Sequence, residues 1–174
     1  RLSGSSPQTI PASTFTGNNL GNLIINNASV TLGGDLNMIQ KLSFEGSNRT
    51  FATAGFLTLN SDASGTAWVA DITNNGANTG NNITGDVTTE RYAYMRRAWR
   101  LLSMPTQHNL QTIRESWQEN QAPNIALPAG FGIQISKDSA NWNTTGFDIR
   151  TTAGPSVKTY DPTINNWRSI TSTI

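Results

Sequence analysis

Eleven carboxylates, one histidine and a run of arginines are the groups in this 174-residue chain that could do chemistry. Glu115 and Glu119, four residues apart, would share a helix face, and two carboxylates so placed could act as acid and base on a glycosidic bond. Solvated helix charges are the plainer account of that pair. His108, the only histidine, sits in the polar link TQHNL. No Gly-x-Ser-x-Gly elbow is present for it to serve, and one imidazole cannot build a multi-histidine zinc site. The carboxylates form neither an HExxH nor a DxDxDG pattern, which leaves a structural calcium at a turn as the one cofactor still open. Arg91, Arg96, Arg97 and Arg100 could stabilise the carbanion of a polysaccharide lyase. On a strand, however, Arg96 and Arg97 point to opposite faces, and no acidic cluster lies beside them in sequence. Their expected role is structural, snorkelling along a seam and pairing with Glu90 or Asp86. The chain reads as non-catalytic.

Sugar recognition is the other chemistry the composition permits, because aromatic rings stack on the apolar face of a sugar while amides and charged groups bond its hydroxyls. Trp68, Trp117, Trp142, Trp167, Tyr92, Tyr94 and Tyr160 supply rings. Trp142 lies in SANWNTTG between Asn141 and Asn143, an odd setting for a core tryptophan, and Tyr160 stands beside Asp161. Trp142, Asn143 and Tyr160 are therefore the candidate ligand-binding residues. The same rings would also serve as half-buried caps on sheet edges. Sequons at Asn27, Asn48, Asn82 and Asn143 match the glycan-acceptor pattern, but an Asn- and Thr-rich chain produces such matches by chance.

Strands must position these groups. From about Asn18 to Thr73 the chain is a series of short apolar clusters, such as Leu23 to Ile25, Leu36 to Met38 and Phe56 to Leu59, separated by Gly, Asn and Ser. That spacing predicts short strands with tight corners. Ala28, Val30 and Leu32, then Leu36 and Met38 after a Gly-Gly corner, put apolar side chains on one face as stacked rungs around a core would. A β-solenoid fits best, and a meander or sandwich sheet would show the same alternation. The Asn- and Gly-rich stretch between Asp71 and Asp86 is a long surface loop or a seam between units. Val87, Thr89 and Arg91 alternate with Thr88, Glu90 and Tyr92 in a further strand. Gln111 to Glu119 is the best helical segment, with Ile113 and Trp117 on one face. Alternation resumes in GFGIQIS (130–136) and continues to the end between turn signals at Gly146, Gly154-Pro155 and Asp161-Pro162.

Composition bounds the rest. Charged residues are 13% of the chain and the net charge is +1, too weak a field to recruit nucleic acid by counterion release. There is no cysteine, so neither disulfides nor thiolate metal sites arise. The apolar runs fall far short of the roughly 20 residues of a spanning helix. Residues 1–17, rich in Ser, Gly and Pro, read as a linker or processed start.

The segment GDVTTERYAYMRRAWRLLSMP (85–105) resembles one in large secreted surface proteins of the Bacteroidetes, where a similar phrase closes a block of solenoid strands and opens a second β unit. SWQENQAPN, AGFGIQIS and GFDIRTTAGPSVKTYDPTINNWRSI are similar to successive parts of that second unit. By eye the resemblance covers nearly the whole chain from Gly21, most strongly residues 85–105 and 146–170. It implies export by the type IX system, a secreted or cell-surface location, membership of a larger polypeptide, and a second unit that stops before its last strands. The expected architecture is all-β: a parallel β-helix-like solenoid over 18–85, then a β-sandwich or jelly-roll-like unit over 86–174. The expected role is a non-catalytic adhesin or stalk that meets a surface glycan or a protein of a host or neighbouring cell. A carbohydrate-binding module is the alternative, and a β-helix polysaccharide lyase or hydrolase the second alternative.

Overall fold

Apolar residues at every second position drive this backbone into strands, and the strands stack in parallel. The computed structural model describes residues 1–93, 99–102, 111–118, 133, 135–137, 142–149 and 154–174, the side chains of 142, 143 and 149 excepted. With 45% strand and 7% helix the protein is all-β. It divides into two units, Arg1–Thr106 and Gln107–Ile174.

The first unit contains β1 (Leu2–Gly4), β2 (Gln8–Pro11), β3 (Asn19–Asn27), β4 (Ser29–Gly33), β5 (Leu36–Phe44), β6 (Thr50–Ala52), β7 (Leu57–Leu59), β8 (Ser61–Asp62), β9 (Gly65–Thr66), β10 (Trp68–Val69), β11 (Asn82–Thr84) and β12 (Val87–Thr89). All but β8 and β9, which pair with each other antiparallel, lie in two sheets. One has the order β1-β3-β5-β7-β12, with β10 also on β5, and the other the order β11-β6-β4-β2. Every pairing within both is parallel. Parallel neighbours need a long crossover between them, and here a strand of the opposite sheet supplies it, as β3 does between β2 and β4. Register stacks like on like: Val30, Phe51 and Ile83 form one column, and Leu36, Leu57 and Val87 another. These side chains fill the core together with Leu23, Ile25, Met38 and Leu42.

Corners set the limits of each strand. Thr53 is fully buried at one of them, its hydroxyl donating to the carbonyl of Asp86 at 2.7 Å. Gly85 faces it with φ +90, and a Cβ there would stand 2.7 Å from Thr53 Oγ1. Asn27, also fully buried, donates from Nδ2 to Ser6 O and accepts from Ser29 N, both at 2.9 Å, so this sequon amide is committed to the fold.

Three expectations change. The opening stretch expected as linker is in the ladders: β1 pairs with β3 and β2 with β4, because Leu2 and Ile10 find apolar partners at Ile25 and Leu32 while Gly4 supplies a corner. The polar stretch before Asp86 is no seam, since β11 and β12 beyond it rejoin the two sheets and the first unit runs on to Thr106. Leu36 to Met38 and Leu42 to Phe44, separate clusters in sequence, belong to one nine-residue strand.

In the second unit lie α1 (Ile113–Trp117), β13 (Ser136–Lys137), α2 (Trp142–Thr145), β14 (Asp148–Ile149), β15 (Lys158–Asp161) and β16 (Asn166–Ser169). β13 and β14 pair in parallel, and β15 and β16 form an antiparallel hairpin. The helix expected over Gln111 to Glu119 is shorter than its pattern and starts at a capping box: Thr112 Oγ1 accepts from Glu115 N, and Glu115 Oε2 accepts from Thr112 N. Ile135 and Phe147 are buried. Beside them Asp148, also buried, accepts from Gln118 Nε2 at 3.0 Å and from Ile135 N at 2.7 Å.

Candidate functional site

The carboxylates are engaged mainly in holding the backbone. Asp62 accepts from Ser64 N and Gly65 N, and Glu45 pairs with Arg1 at 2.9 Å. Asp71 accepts from both Thr73 groups, and the Thr73 hydroxyl holds its pKa below the ordinary carboxylate range. Glu115 is taken up by the capping box, and Glu119 lies outside the described residues. Asp148 is buried, with Gln118 Nε2 and Ile135 N among its donors. Among the described residues no group of three or more His, Cys, Asp or Glu could hold a metal ion, and none of the helices there is long and apolar enough to cross a membrane.

At the arginines the sequence expectation and the structure part company. Glu90 does not pair with an arginine in the described ion pairs: its Oε2 accepts from Ser61 N at 3.0 Å, while Tyr92 N donates to Ser61 Oγ at 2.8 Å. Ser61 thus grips the residues on either side of Arg91, because the backbone N–H at the start of β8 needs an acceptor that its short hairpin does not provide. The described ion pairs are Arg1–Glu45 and Arg168–Asp161. Arg91, Tyr92, Arg100, Leu101 and Leu102 line a cavity of about 380 Å³, and these described lining residues include no carboxylate. Arg96, Arg97, Tyr94 and His108 lie outside the described residues.

Of the candidate ligand residues, Trp142 and Asn143 occupy the single turn of α2, and their side chains lie outside the described set. Tyr160 is on β15, with Trp167 directly opposite on β16. The rings meet edge to face with centroids 5.4 Å apart and planes at 65°. Both are about half exposed, at 46% and 48%. The Tyr160 hydroxyl bonds Asn165 Oδ1, and Asn165 closes the loop with φ 51. Asp161 pairs with Arg168 at 2.9 Å and accepts from Thr163, whose hydroxyl is the main cause of a lowered Asp161 pKa. The structure therefore brings Tyr160 to Trp167. The signal in the sequence was DPTINN, whose turn residues place these two aromatics across a hairpin. A second exposed ring, Trp68 at 52%, stands on the outer face of β10 beside Lys41.

Comparison with family models, with curated proteins and with solved structures finds no match to the chain.

Proposed function

We propose that this chain is a non-catalytic module of a secreted or cell-surface bacterial protein, serving as an adhesive or structural stalk element. One observation supports the reading above others: the inward columns Val30, Phe51, Ile83 and Leu36, Leu57, Val87 keep register across the stacked strands. On that ground we read the first unit as a β-solenoid of the parallel β-helix kind, and the second as sandwich-like around Ile135 and Phe147. In a stack each rung satisfies the backbone groups of the next, so length is added at about 4.8 Å per strand without a reactive centre. Seven carboxylates tied to turns, caps and ion pairs, namely Glu45, Asp62, Asp71, Glu90, Glu115, Asp148 and Asp161, support a scaffold in the same way. Location and export by the type IX system rest on the resemblance to Bacteroidetes surface proteins.

Incubation of the purified chain with acidic and neutral polysaccharides tests the non-catalytic part. No reducing or unsaturated ends are expected above the buffer control. Their release in proportion to protein concentration would overturn the reading and favour the lyase or hydrolase alternative. A carbohydrate-binding module is the second reading, favoured by the half-exposed Tyr160–Trp167 pair. Its partner would be a surface glycan, and a glycan array probed with the intact chain, with Trp142→Ala and with Trp167→Ala tests it.

A further inference from the structure

The β3–β5 ladder holds one irregularity. Its register runs Asn19↔Asn37 and Leu20↔Met38, then resumes at Asn22↔Lys41, so that Gly21 is left opposite the two residues Ile39 and Gln40. This is a bulge, which re-aims side chains where regular pairing would fix them. It falls where β5 changes neighbours, from β7 at Leu36–Met38 to β10 at Lys41–Leu42. The side chain of Gln40 reaches back over Gly21, where a Cβ would meet its Oε1 at 3.4 Å. Asn22 Nδ2 donates to that same oxygen. The bond orients both amides, leaving the Gln40 NH2 and the Asn22 carbonyl oxygen as the open ends of the pair.

Next to these amides, Asn22, Lys41 and Trp68 stand in register on three successive strands. Leu23 and Leu42, one residue further along, are buried, so this column faces outward. Lys41 carries its ammonium over the Trp68 ring at 6.0 Å from the centroid. That is the outer limit of a cation–π contact, and the ring remains 52% exposed with the charge at this distance. The ion pairs of the described residues do not include Lys41. Trp68 lies 52% exposed on β10, whose pairing is with β5. Core packing does not require this exposed ring.

A flat ring, a cation and two oriented amides across three strands span about 10 Å, room for consecutive sugar rings lying along the stack. Resting on the carbohydrate-binding reading, we propose that Trp68, Lys41, Gln40 and Asn22 form a binding site for an acidic glycan. The apolar face of a uronate sugar stacks on Trp68, its carboxylate meets the Lys41 ammonium, and the amides of Gln40 and Asn22 bond its hydroxyls. A nucleic acid is a poor occupant for a single lysine on a chain of net charge +1.

Calorimetric titration of the full chain with tetragalacturonate, a hyaluronan tetrasaccharide, cellotetraose and chitotetraose tests this. Saturable binding is expected for at least one of the two uronate probes and to weaken with added salt. Trp68→Ala should lose tenfold or more in affinity and Trp68→Phe much less. Lys41→Met should lose about tenfold for the acidic probe together with its salt dependence. Both positions are on the outer face, and unchanged far-UV circular dichroism would certify the variants as folded. Binding to the neutral probes alone, or acidic binding indifferent to Trp68→Ala, would overturn the site. Loss with Trp167→Ala in place of Trp68→Ala would overturn it while leaving the carbohydrate-binding reading intact. No binding to any probe would overturn both.

Discussion

Single residues fix the corners on which the stacked strands depend. Gly85 is the sharpest case, because φ +90 disfavours any side chain and a Cβ would meet Thr53 Oγ1 at 2.7 Å and Ala54 N at 3.1 Å. Neither neighbour can yield cheaply, since one is backbone and the other is a buried hydroxyl bonded to Asp86 O. Gly85→Ala is therefore expected to cost about 3 kcal/mol, combining left-handed strain with the clash. Urea denaturation followed by far-UV circular dichroism would measure it, and a midpoint equal to that of the unaltered chain would remove Gly85 from the corner's requirements. Sequence pattern put Gly85 at the end of a polar stretch read as a surface loop or a seam. It could not indicate that Thr53, far away in the chain, closes over it.

Among the elements, the β15–β16 hairpin depends most on local groups. A two-stranded ladder alone is marginal in water, and this one is held by the Tyr160–Trp167 pair on one face and by Asp161 with Arg168 on the other. The Thr163 hydroxyl lowers the pKa of Asp161, which makes the hairpin pH-dependent in a defined direction. A carboxylate with a depressed folded pKa contributes stability above its unfolded value, about 3.9, and loses it as pH falls through the folded value. The near-UV circular dichroism of the Tyr–Trp pair should thus be constant at neutral pH and decay only in acid below the ordinary aspartate range. Asp161→Asn should flatten that acid limb, and an unchanged limb would mean that another group governs it. The hairpin was legible as turn residues between strands, and α1 as a helical spacing. Pairing of Tyr160 with Trp167 was not, because the turn residues mark a hairpin without fixing which residues stand opposite each other.

On the scale of the whole molecule, stability of the first unit resides in columns, not in single strands. Phe51 is fully buried between Val30 and Ile83 on the neighbouring strands. Phe51→Ala is expected to lower stability by about 4 kcal/mol, the cost of lost transfer energy plus a cavity that a stacked core cannot collapse. Chemical denaturation measures it, and a loss under about 1 kcal/mol would mean that the columns are loosely packed. The sequence by itself determined that the chain is all-β, because alternation of apolar and polar residues is local and only strands satisfy it, as Val30 and Leu32 or Leu36 and Met38 illustrate. Tertiary structure alone decided where the ladders start, since Leu2 and Ile10 are isolated apolar residues until Ile25 and Leu32 come beside them. It also decided which outward side chains meet. Asn22, Lys41 and Trp68 are spaced unequally in sequence, and only the bulge at Gly21 together with the detour through β8 and β9 brings them into one column. Register between distant strands is a long-range property of packing, which no local periodicity encodes.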